Sequence, residues 1–157
     1  MKHLYQHSQV AWCQGFVELV EGEFSFLFKD GGFSIVKQDE ARGGEICLVI
    51  LASKDYQLKF IADRSRLEAM IGSADAVRSW ENIIDGQIEW YGLRNFIEAV
   101  KGVPHRSAEE LRQLGNRLFN TSLEAHLAEL SRMLAPVHGD IQAVFRDGRY
   151  TALRKDL

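Results

Sequence analysis

The chain has 157 residues and a mass of 17.9 kDa, so we expect a single domain over residues 1–157. Its 46% hydrophobic and 26% charged residues are typical of a globular protein and exclude disordered and collagen-like classes. The net charge is −3 and no segment is polybasic, which disfavours nucleic acid as a partner, because phosphate binding needs a basic face. No apolar run reaches about 18 residues, so we predict no membrane-spanning helix and no membrane partner.

The N-terminal sequence and the cysteines favour a cytoplasmic location. The first residues, MKHLYQHSQVAWCQG, lack the continuous apolar segment of a secretory signal. Cys13 and Cys47 each lie in an apolar stretch, so we expect two reduced thiols buried in the core. A Cys13–Cys47 disulfide is the alternative.

The first predicted element is a helix over residues 9–29. Its apolar side chains recur at steps of three and four, which is the helical period: Trp12, Phe16, Val20, Phe24 and Leu27. Asp30-Gly31-Gly32 should end this helix, since glycine adopts the left-handed cap conformation without steric cost. Gly15 and Gly22 weaken the pattern, and a strand at Phe16–Val20 is the alternative.

Four short strands are predicted next: Phe33–Gln38, Glu45–Ser53, Tyr56–Asp63 and Arg66–Gly72. The breaks between them have two to six residues, which is too short for a parallel crossover, so we expect an antiparallel meander. The apolar run ICLVIL indicates a strand that is covered on both faces. In the third strand Tyr56, Leu58 and Phe60 should share one face. Gln57 and Lys59 should lie on the opposite face.

Residues 73–89 have the least decided periodicity, and we expect an ordered insertion that forms a loop with one helical turn. Asp85-Gly86 could instead be a hairpin turn between Trp80–Ile84 and Gln87–Tyr91. A short helix over Ala74–Ile84 is a further alternative.

The last third of the chain is predicted to be helical. Helices are indicated over Leu93–Lys101 and after two capping boxes, Ser107–Glu110 and Thr121–Glu124. Pro136 should kink or restart the last helix, which Asp147-Gly148 should end. The predicted fold is therefore α+β: an N-terminal helix, a three- to four-stranded antiparallel meander sheet, and C-terminal helices packed on one face. Residues 1–8 and 149–157 are expected to be flexible ends.

No set of reactive side chains predicts catalysis, a metal or a cofactor. His3 and His7 have the spacing of a zinc pair, and His126 with Glu129 has a spacing found in carboxylate-bridged sites, but each lacks further ligands. The remaining candidates for nucleophile and base are Ser107, His105 and His138, with no nucleophile elbow. The glycine pairs at 31–32 and 43–44 match no phosphate-binding motif and are interpreted as turns. We therefore expect no catalytic residue, no metal and no cofactor.

The strongest binding signal is the combination of aromatic and acidic residues in Asp75–Tyr91. Tryptophan and tyrosine are the large anchors that protein interfaces favour. The candidate partner contacts are Trp80, Glu81, Asp85, Glu89, Trp90 and Tyr91. Asp39, Glu40 and Glu45 could extend them into an acidic surface for a basic partner. Alternatively, Trp80 and Trp90 close one end of the core.

The order of several segments resembles that of small, functionally uncharacterised bacterial proteins. The segments are FLFKDGGFSIV, EICLVIL, YQLKFIADRSRLEAMIG and EWYGLRNFIEAV, followed by a leucine-rich helical region. The match spans residues 24–147, with residues 73–89 as an addition. This resemblance implies an α+β single domain and carries no catalytic residue over. Proteins of this size and architecture are similar in type to immunity proteins.

We therefore expect a non-catalytic protein-binding module, most concretely an immunity protein or antitoxin that neutralises a basic toxin domain. The alternative is a small-molecule-binding or enzymatic domain whose pocket lies between the sheet and the helices. Its predicted lining is Tyr56, Arg64, Arg66 and His126, with the two arginines holding an anionic ligand. A homodimer through the apolar C-terminal helices is a third hypothesis.

Overall fold

The computed structural model describes the backbone of residues 2–157 and the side chains of residues 12–155 and 157. The α-helices are α1 Lys2–Glu23, α2 Ser25–Lys29, α3 Leu93–Val100, α4 Ala108–Phe119, α5 Leu123–Leu134, α6 His138–Arg146 and α7 Tyr150–Leu153. The strands are β1 Ser34–Ala41, β2 Ile46–Ala52, β3 Tyr56–Ala62, β4 Leu67–Ser73, β5 Ile83–Ile84, β6 Gln87–Ile88 and β7 Tyr91–Gly92. Among the described residues, no helix is both long and apolar enough to cross a bilayer. The α+β prediction is confirmed.

The predicted N-terminal helix is present but broken at Phe24 into α1 and α2. Phe16, Val20 and Leu27 are buried along it, as the helical period requires, so the strand alternative at Phe16–Val20 is wrong. The chain leaves α2 through Gly32, whose φ of +69° is a conformation that favours glycine.

The sheet has five antiparallel strands in the order β1-β2-β3-β4-β7. The predicted meander supplies the first four, and the two-residue strand β7 adds an edge by pairing with Met70 and Ile71 of β4. The side chains of β2 from Cys47 to Ala52 are all buried, which confirms that this strand is covered on both faces. In the neighbouring strand β3, Gln57 and Lys59 alternate with Tyr56, Leu58 and Phe60 as predicted, and they are also buried.

Different parts of the chain cover the two faces of the sheet. Helices cover the face of the sheet that carries Tyr56, Leu58 and Phe60. The side chains of these helices and of this face form the main core. Residues 73–90 cover the other face, where Leu48 and Ile50 of β2 form a second, smaller core. The remaining buried members of that core come from the covering segment itself, Ala76 and Trp90. We call residues 73–90 the covering segment.

The covering segment contains the alternative hairpin around Asp85-Gly86, with shorter strands than predicted. The predicted helical turn is wrong. Strands β5 and β6 pair with Ile83 opposite Ile88. Asp85 and Gly86 connect them with φ values of +51° and +77°. Positive φ at both central residues is the signature of a tight hairpin turn, which Asp-Gly favours. The short helix over Ala74–Ile84 is therefore also wrong.

The C-terminal helices follow the predicted pattern with one correction. The capping box before α4 is present, with Ser107 Oγ accepting from Glu110 N at 3.1 Å and Glu110 Oε1 accepting from Ser107 N at 3.1 Å. The next helix is capped by Ser122 rather than Thr121, because Ser122 Oγ accepts from Ala125 N. Pro136 lies in a 3₁₀ turn that separates α5 from α6, as predicted.

Two regions near the C-terminus differ in their packing. Helix α4 has no buried residue, and its Leu111 and Phe119 are exposed. Residues 150–156, which were expected to belong to a flexible end, form α7 and a 3₁₀ turn. Tyr150, Leu153 and Leu157 contact the main core. The other expected flexible end, residues 1–8, has side chains outside the described residues.

Cys13 and Cys47 form a disulfide, so the prediction of two reduced thiols is wrong. Their Cα atoms are 5.6 Å apart, and the bond joins α1 to β2 across the helix–sheet interface. An apolar sequence context is compatible with a buried thiol and with a buried disulfide. Composition alone therefore favoured the reduced thiol, which is the commoner of the two. Disulfides persist mainly in oxidising compartments. The cytoplasmic location stays a prediction, and this bond weighs against it.

Candidate functional site

A buried lysine holds the middle of the covering segment on the sheet. Lys59 extends from β3, where it is fully buried, and its Nζ donates to the carbonyl oxygens of Ser79 at 3.0 Å and Glu81 at 2.9 Å. The ammonium also lies 4.6 Å from the centroid of the Trp90 ring, a cation–π contact. A charged hydrogen-bond donor, rather than an apolar side chain, therefore fixes the middle of the covering segment to the sheet.

Gln57 holds the start of the same segment. Its Nε2 lies 3.0–3.1 Å from three backbone carbonyl oxygens at the start of the covering segment, those of Ser73, Ala74 and Ala76. Its Oε1 accepts from Arg78 Nε at 2.9 Å. A buried amide that is bonded at both ends avoids the cost of an unsatisfied polar group, so this side chain fixes the path of the turn.

Further hydrogen bonds fix the edges of the covering segment. On the β1 side, Lys37 Nζ donates to the Arg78 carbonyl at 2.7 Å, and Trp80 Nε1 donates to Asp39 Oδ2 at 2.9 Å. This indole N–H, with the amide of Glu40, holds the pKa of Asp39 below its usual value. On the opposite side Asn82 Nδ2 donates to Glu68 at 2.8 Å. The covering segment is therefore attached along its length.

The outer side of the covering segment exposes apolar side chains. Val77, Ile83 and Ile88 are 47%, 59% and 53% exposed. Ile83 and Ile88 are direct cross-strand neighbours in the hairpin, so their side chains form one continuous apolar contact. The acidic side chains of the segment are Asp75, Glu81, Asp85 and Glu89, against a single basic one, Arg78. We call the exposed side of the covering segment, which carries Val77, Ile83 and Ile88, the outer face.

The structure divides the six predicted partner residues between core and surface. Trp90 is 1% exposed and its Nε1 donates to the Val77 carbonyl at 2.8 Å, so it is a core residue that no partner can contact. Trp80 is half-buried against Asp39, and Tyr91 is half-buried in β7. Glu81 and Asp85 are exposed, whereas Glu89 is half-buried and accepts from the Val77 amide.

The residues of the predicted ligand pocket do not come together. Tyr56 begins β3 and Arg64 follows its other end, so about 25 Å of extended chain separates them. Arg64 stacks over Trp12 at 5.6 Å, and Arg66 is exposed at the same turn. Burial and the nearby Arg94 lower the pKa of His126, which lies on α5. The structure therefore does not bring these four residues together around one pocket.

The histidine candidates also lack a reactive arrangement. His138 Nδ1 lies 2.7 Å from the Tyr56 hydroxyl, and burial lowers the pKa of His138. Ser107 caps α4, and His105 is exposed before it. Within the part of the chain that the structure describes, no three His, Cys, Asp or Glu side chains cluster as metal ligands. The predicted pair His3 and His7 lies outside the described side chains.

Sequence reasoning missed the residues that make the outer face available. Gln57 and Lys59 were placed on the face opposite Tyr56, Leu58 and Phe60, but neither was identified as an anchor for another segment. Val77, Ile83 and Ile88 were not singled out, although the Asp85-Gly86 turn between two isoleucine-containing runs was a usable hairpin signal.

Comparison with known proteins adds no functional assignment. No family model matches the chain, and neither does any curated protein or solved structure.

Proposed function

We propose that this protein is a non-catalytic binding module whose outer face holds a basic partner protein. The observation that carries the proposal is the exposure of Val77, Ile83 and Ile88 on a segment that buried hydrogen bonds attach to the sheet. A preorganised apolar patch loses little entropy on binding, so more of the contact energy appears as affinity.

The charges around the outer face favour a basic partner. Four acidic side chains lie in the covering segment, and Asp39 and Glu40 are exposed on the neighbouring strand β1. An apolar centre with a charged rim is the usual anatomy of a protein interface. Complementary charge increases the association rate and excludes acidic partners. An immunity protein or antitoxin that neutralises a basic toxin domain is the concrete form that we propose.

Variant proteins can test which surface binds the partner. The tagged protein and an Ile83→Ser/Ile88→Ser variant would be incubated with lysate of the source cell, and retained proteins would be quantified. We expect the unmodified protein to retain one basic protein at a one-to-one ratio, and the variant to retain at least tenfold less. Leu111→Ser is the matched control, because it removes an equally exposed apolar side chain from α4.

Two results would overturn the proposal. One is equal retention of the partner by the Ile83→Ser/Ile88→Ser variant, with binding lost in Leu111→Ser. The other is the absence of a stoichiometric protein partner at any salt concentration. For a genuine partner, raising the ionic strength should slow association, since the acidic rim acts over about a Debye length of 8–10 Å.

A further inference from the structure

The Cys13–Cys47 disulfide lies in a groove between α1 and the edge strand β1. The volume of this groove is ≈ 270 Å³, which gives a thiol of a few heavy atoms room to approach. Helix α1 contributes Cys13 and Gln14 to the lining, β1 contributes Asp39 and Glu40, and β2 contributes Cys47. Both halves of the disulfide therefore belong to a groove that opens to solvent.

The two cysteines of this bond differ in their exposure. Cys47 is 1% exposed, because β2 is covered on both faces of the sheet. Cys13 is half-buried, and Gln14 beside it is exposed. The outcome of thiol–disulfide exchange depends on which sulfur a thiolate can reach. The accessible side of the disulfide is that of Cys13, so Cys47 is the sulfur that an attacking thiolate would expel.

The charges of the groove discriminate between thiols. Asp39 and Glu40 are exposed carboxylates, and none of the described residues that line the groove is basic. The hydrogen bond from Trp80 lowers the pKa of Asp39, which keeps this carboxylate ionised. In the adjoining turn Arg42 and Glu45 are both exposed and have opposite charges, so their effects offset each other. A negative lining repels anionic thiols and attracts cationic ones.

We propose that this groove is a thiol-exchange site at which small thiols, cationic ones above all, open the disulfide of the folded protein at Cys13. The thiolate attacks Cys13 Sγ, so a new S–S bond forms there while the Cys13–Cys47 bond breaks. The electron pair of the broken bond leaves with Cys47, whose thiolate then takes a proton from water. A second thiol displaces the first from Cys13, which releases the oxidised thiol pair and leaves two reduced cysteines.

Exchange at this site makes the link between α1 and β2 responsive to small thiols. The buried side chains of Phe16, Val17 and Val20 also hold α1 on the sheet, so we expect the opened protein to remain folded. An oxidised thiol should then restore the disulfide by the reverse steps. The bond is thus a reversible connection in the folded protein, besides its contribution to stability.

Cysteamine and 2-mercaptoethanesulfonate are suitable probes, because they are small thiols of opposite charge. Each would be added in excess at pH 7.5, samples would be quenched with acid, and mixed disulfides would be located by mass spectrometry of peptides. We expect the early adduct on Cys13 in at least tenfold excess over Cys47. Cysteamine should react faster, when the rate of each thiol is divided by its rate with hydroxyethyl disulfide, a neutral reference.

Glu40→Gln tests whether the lining sets this preference. The substitution removes one negative charge from the groove and keeps the shape of the side chain. The normalised ratio of the cysteamine rate to the sulfonate rate should fall about threefold at low ionic strength. Glu109→Gln is the matched control, because this exposed carboxylate lies on α4, outside the groove lining. Its rate ratio should equal that of the unmodified protein.

The dependence of the exchange rate on urea separates attack on the folded protein from attack on the unfolded chain. At urea concentrations below the unfolding transition the rate should stay constant. A rate that rises in proportion to the unfolded fraction would overturn the proposal. So would equal adducts on the two cysteines, or a charge preference that Glu40→Gln leaves unchanged. These measurements do not involve partner binding at the outer face, so either proposal can fail without the other.

Discussion

Lys59 Nζ lies 4.6 Å from the centroid of the Trp90 ring, although both side chains are fully buried. The ammonium is held between this aromatic face and the carbonyl oxygens of Ser79 and Glu81. Burial lowers the pKa of Lys59 to about 8, and the nearby Glu68 opposes this shift to a smaller extent. A charged group is therefore enclosed under the covering segment near neutral pH.

The lowered pKa of Lys59 predicts that stability rises with pH between about 8 and 10. In this range the lysine of the unfolded chain, with its ordinary pKa of 10.5, still binds a proton that the folded protein has lost. Stability rises with pH wherever the unfolded state binds more protons. Urea denaturation at pH 7.5, 8.5 and 9.5 should show this rise, with a slope of up to about 1.4 kcal/mol per pH unit.

Lys59→Met is the control for that pH dependence. Methionine retains most of the apolar stem but cannot titrate, so the rise between pH 8 and 10 should disappear. Above pH 10 the buried Tyr56, whose pKa is raised by burial, acts in the opposite direction and limits the useful range. An identical slope in the variant and the unmodified protein would contradict the assignment to Lys59.

Gly72→Ala should loosen the covering segment. A Cβ at Gly72 would lie 2.8 Å from Ala76 Cβ, 2.9 Å from the Glu89 carbonyl oxygen and 3.0 Å from Trp90 Cε3. These contacts involve backbone and a packed ring, so the segment must move. We expect a loss of about 1–3 kcal/mol in the free energy of unfolding, measured by urea denaturation.

Gly115→Ala is the matched control for this substitution. Gly115 lies within α4, and a Cβ there would meet no atom within 4 Å. Alanine is a better helix former than glycine, so this variant should gain up to about 1 kcal/mol. Equal stabilities of the two alanine variants would show that the covering segment does not pack closely against β4.

Removal of the disulfide should destabilise the whole fold. Cys13 and Cys47 are 34 residues apart, and a cross-link over such a distance restricts the unfolded chain. Cys13→Ala/Cys47→Ala should lower the free energy of unfolding by about 2–4 kcal/mol. A reducing agent should produce a similar loss in the unmodified protein and no change in the variant. If the agent has no effect on the unmodified protein, the bond is absent in solution.

Tyr56→Phe should cost about 1 kcal/mol of stability, which thermal or urea denaturation can measure. The substitution removes the hydroxyl that lies 2.7 Å from His138 Nδ1 and leaves this half-buried ring nitrogen without its partner. Tyr150→Phe is the comparison, because the ring stacking of this residue on Phe145 is retained. Equal stabilities of the two variants would mean that the Tyr56–His138 bond contributes nothing net.

Local patterns in the sequence were sufficient for most of the fold. The helical period around Phe16 and Val20 and the short breaks between strands follow from chain geometry, so the helices and the meander could be predicted. The capping residues Ser107 and Ser122 likewise act on their own helices. The shift from Thr121 to Ser122 shows that such signals locate a helix start to within a residue or two.

Contacts between distant segments could not be predicted in the same way. The alternation in β3 predicts that Gln57 and Lys59 share one face, but it carries no sign of the covering segment, from 16 to 22 residues later, that encloses them. The same applies to Cys13 and Cys47, whose partnership depends on where α1 crosses the sheet. The candidate site therefore depended on tertiary hydrogen bonds that carry no periodic signal.

Much of the attachment of the covering segment is made to its main chain, beside the side-chain hydrogen bonds of Trp80 to Asp39 and of Asn82 to Glu68. Gln57, Lys59 and Lys37 of the sheet donate to backbone carbonyl oxygens within residues 73–81, and Trp90 at the end of the segment donates to the Val77 carbonyl. Every amino acid supplies such an acceptor. Replacing Val77, Ile83 or Ile88 therefore removes none of these anchoring donors. A scaffold of this kind can acquire a new binding specificity by point substitution, because recognition and architecture are encoded by separate atoms.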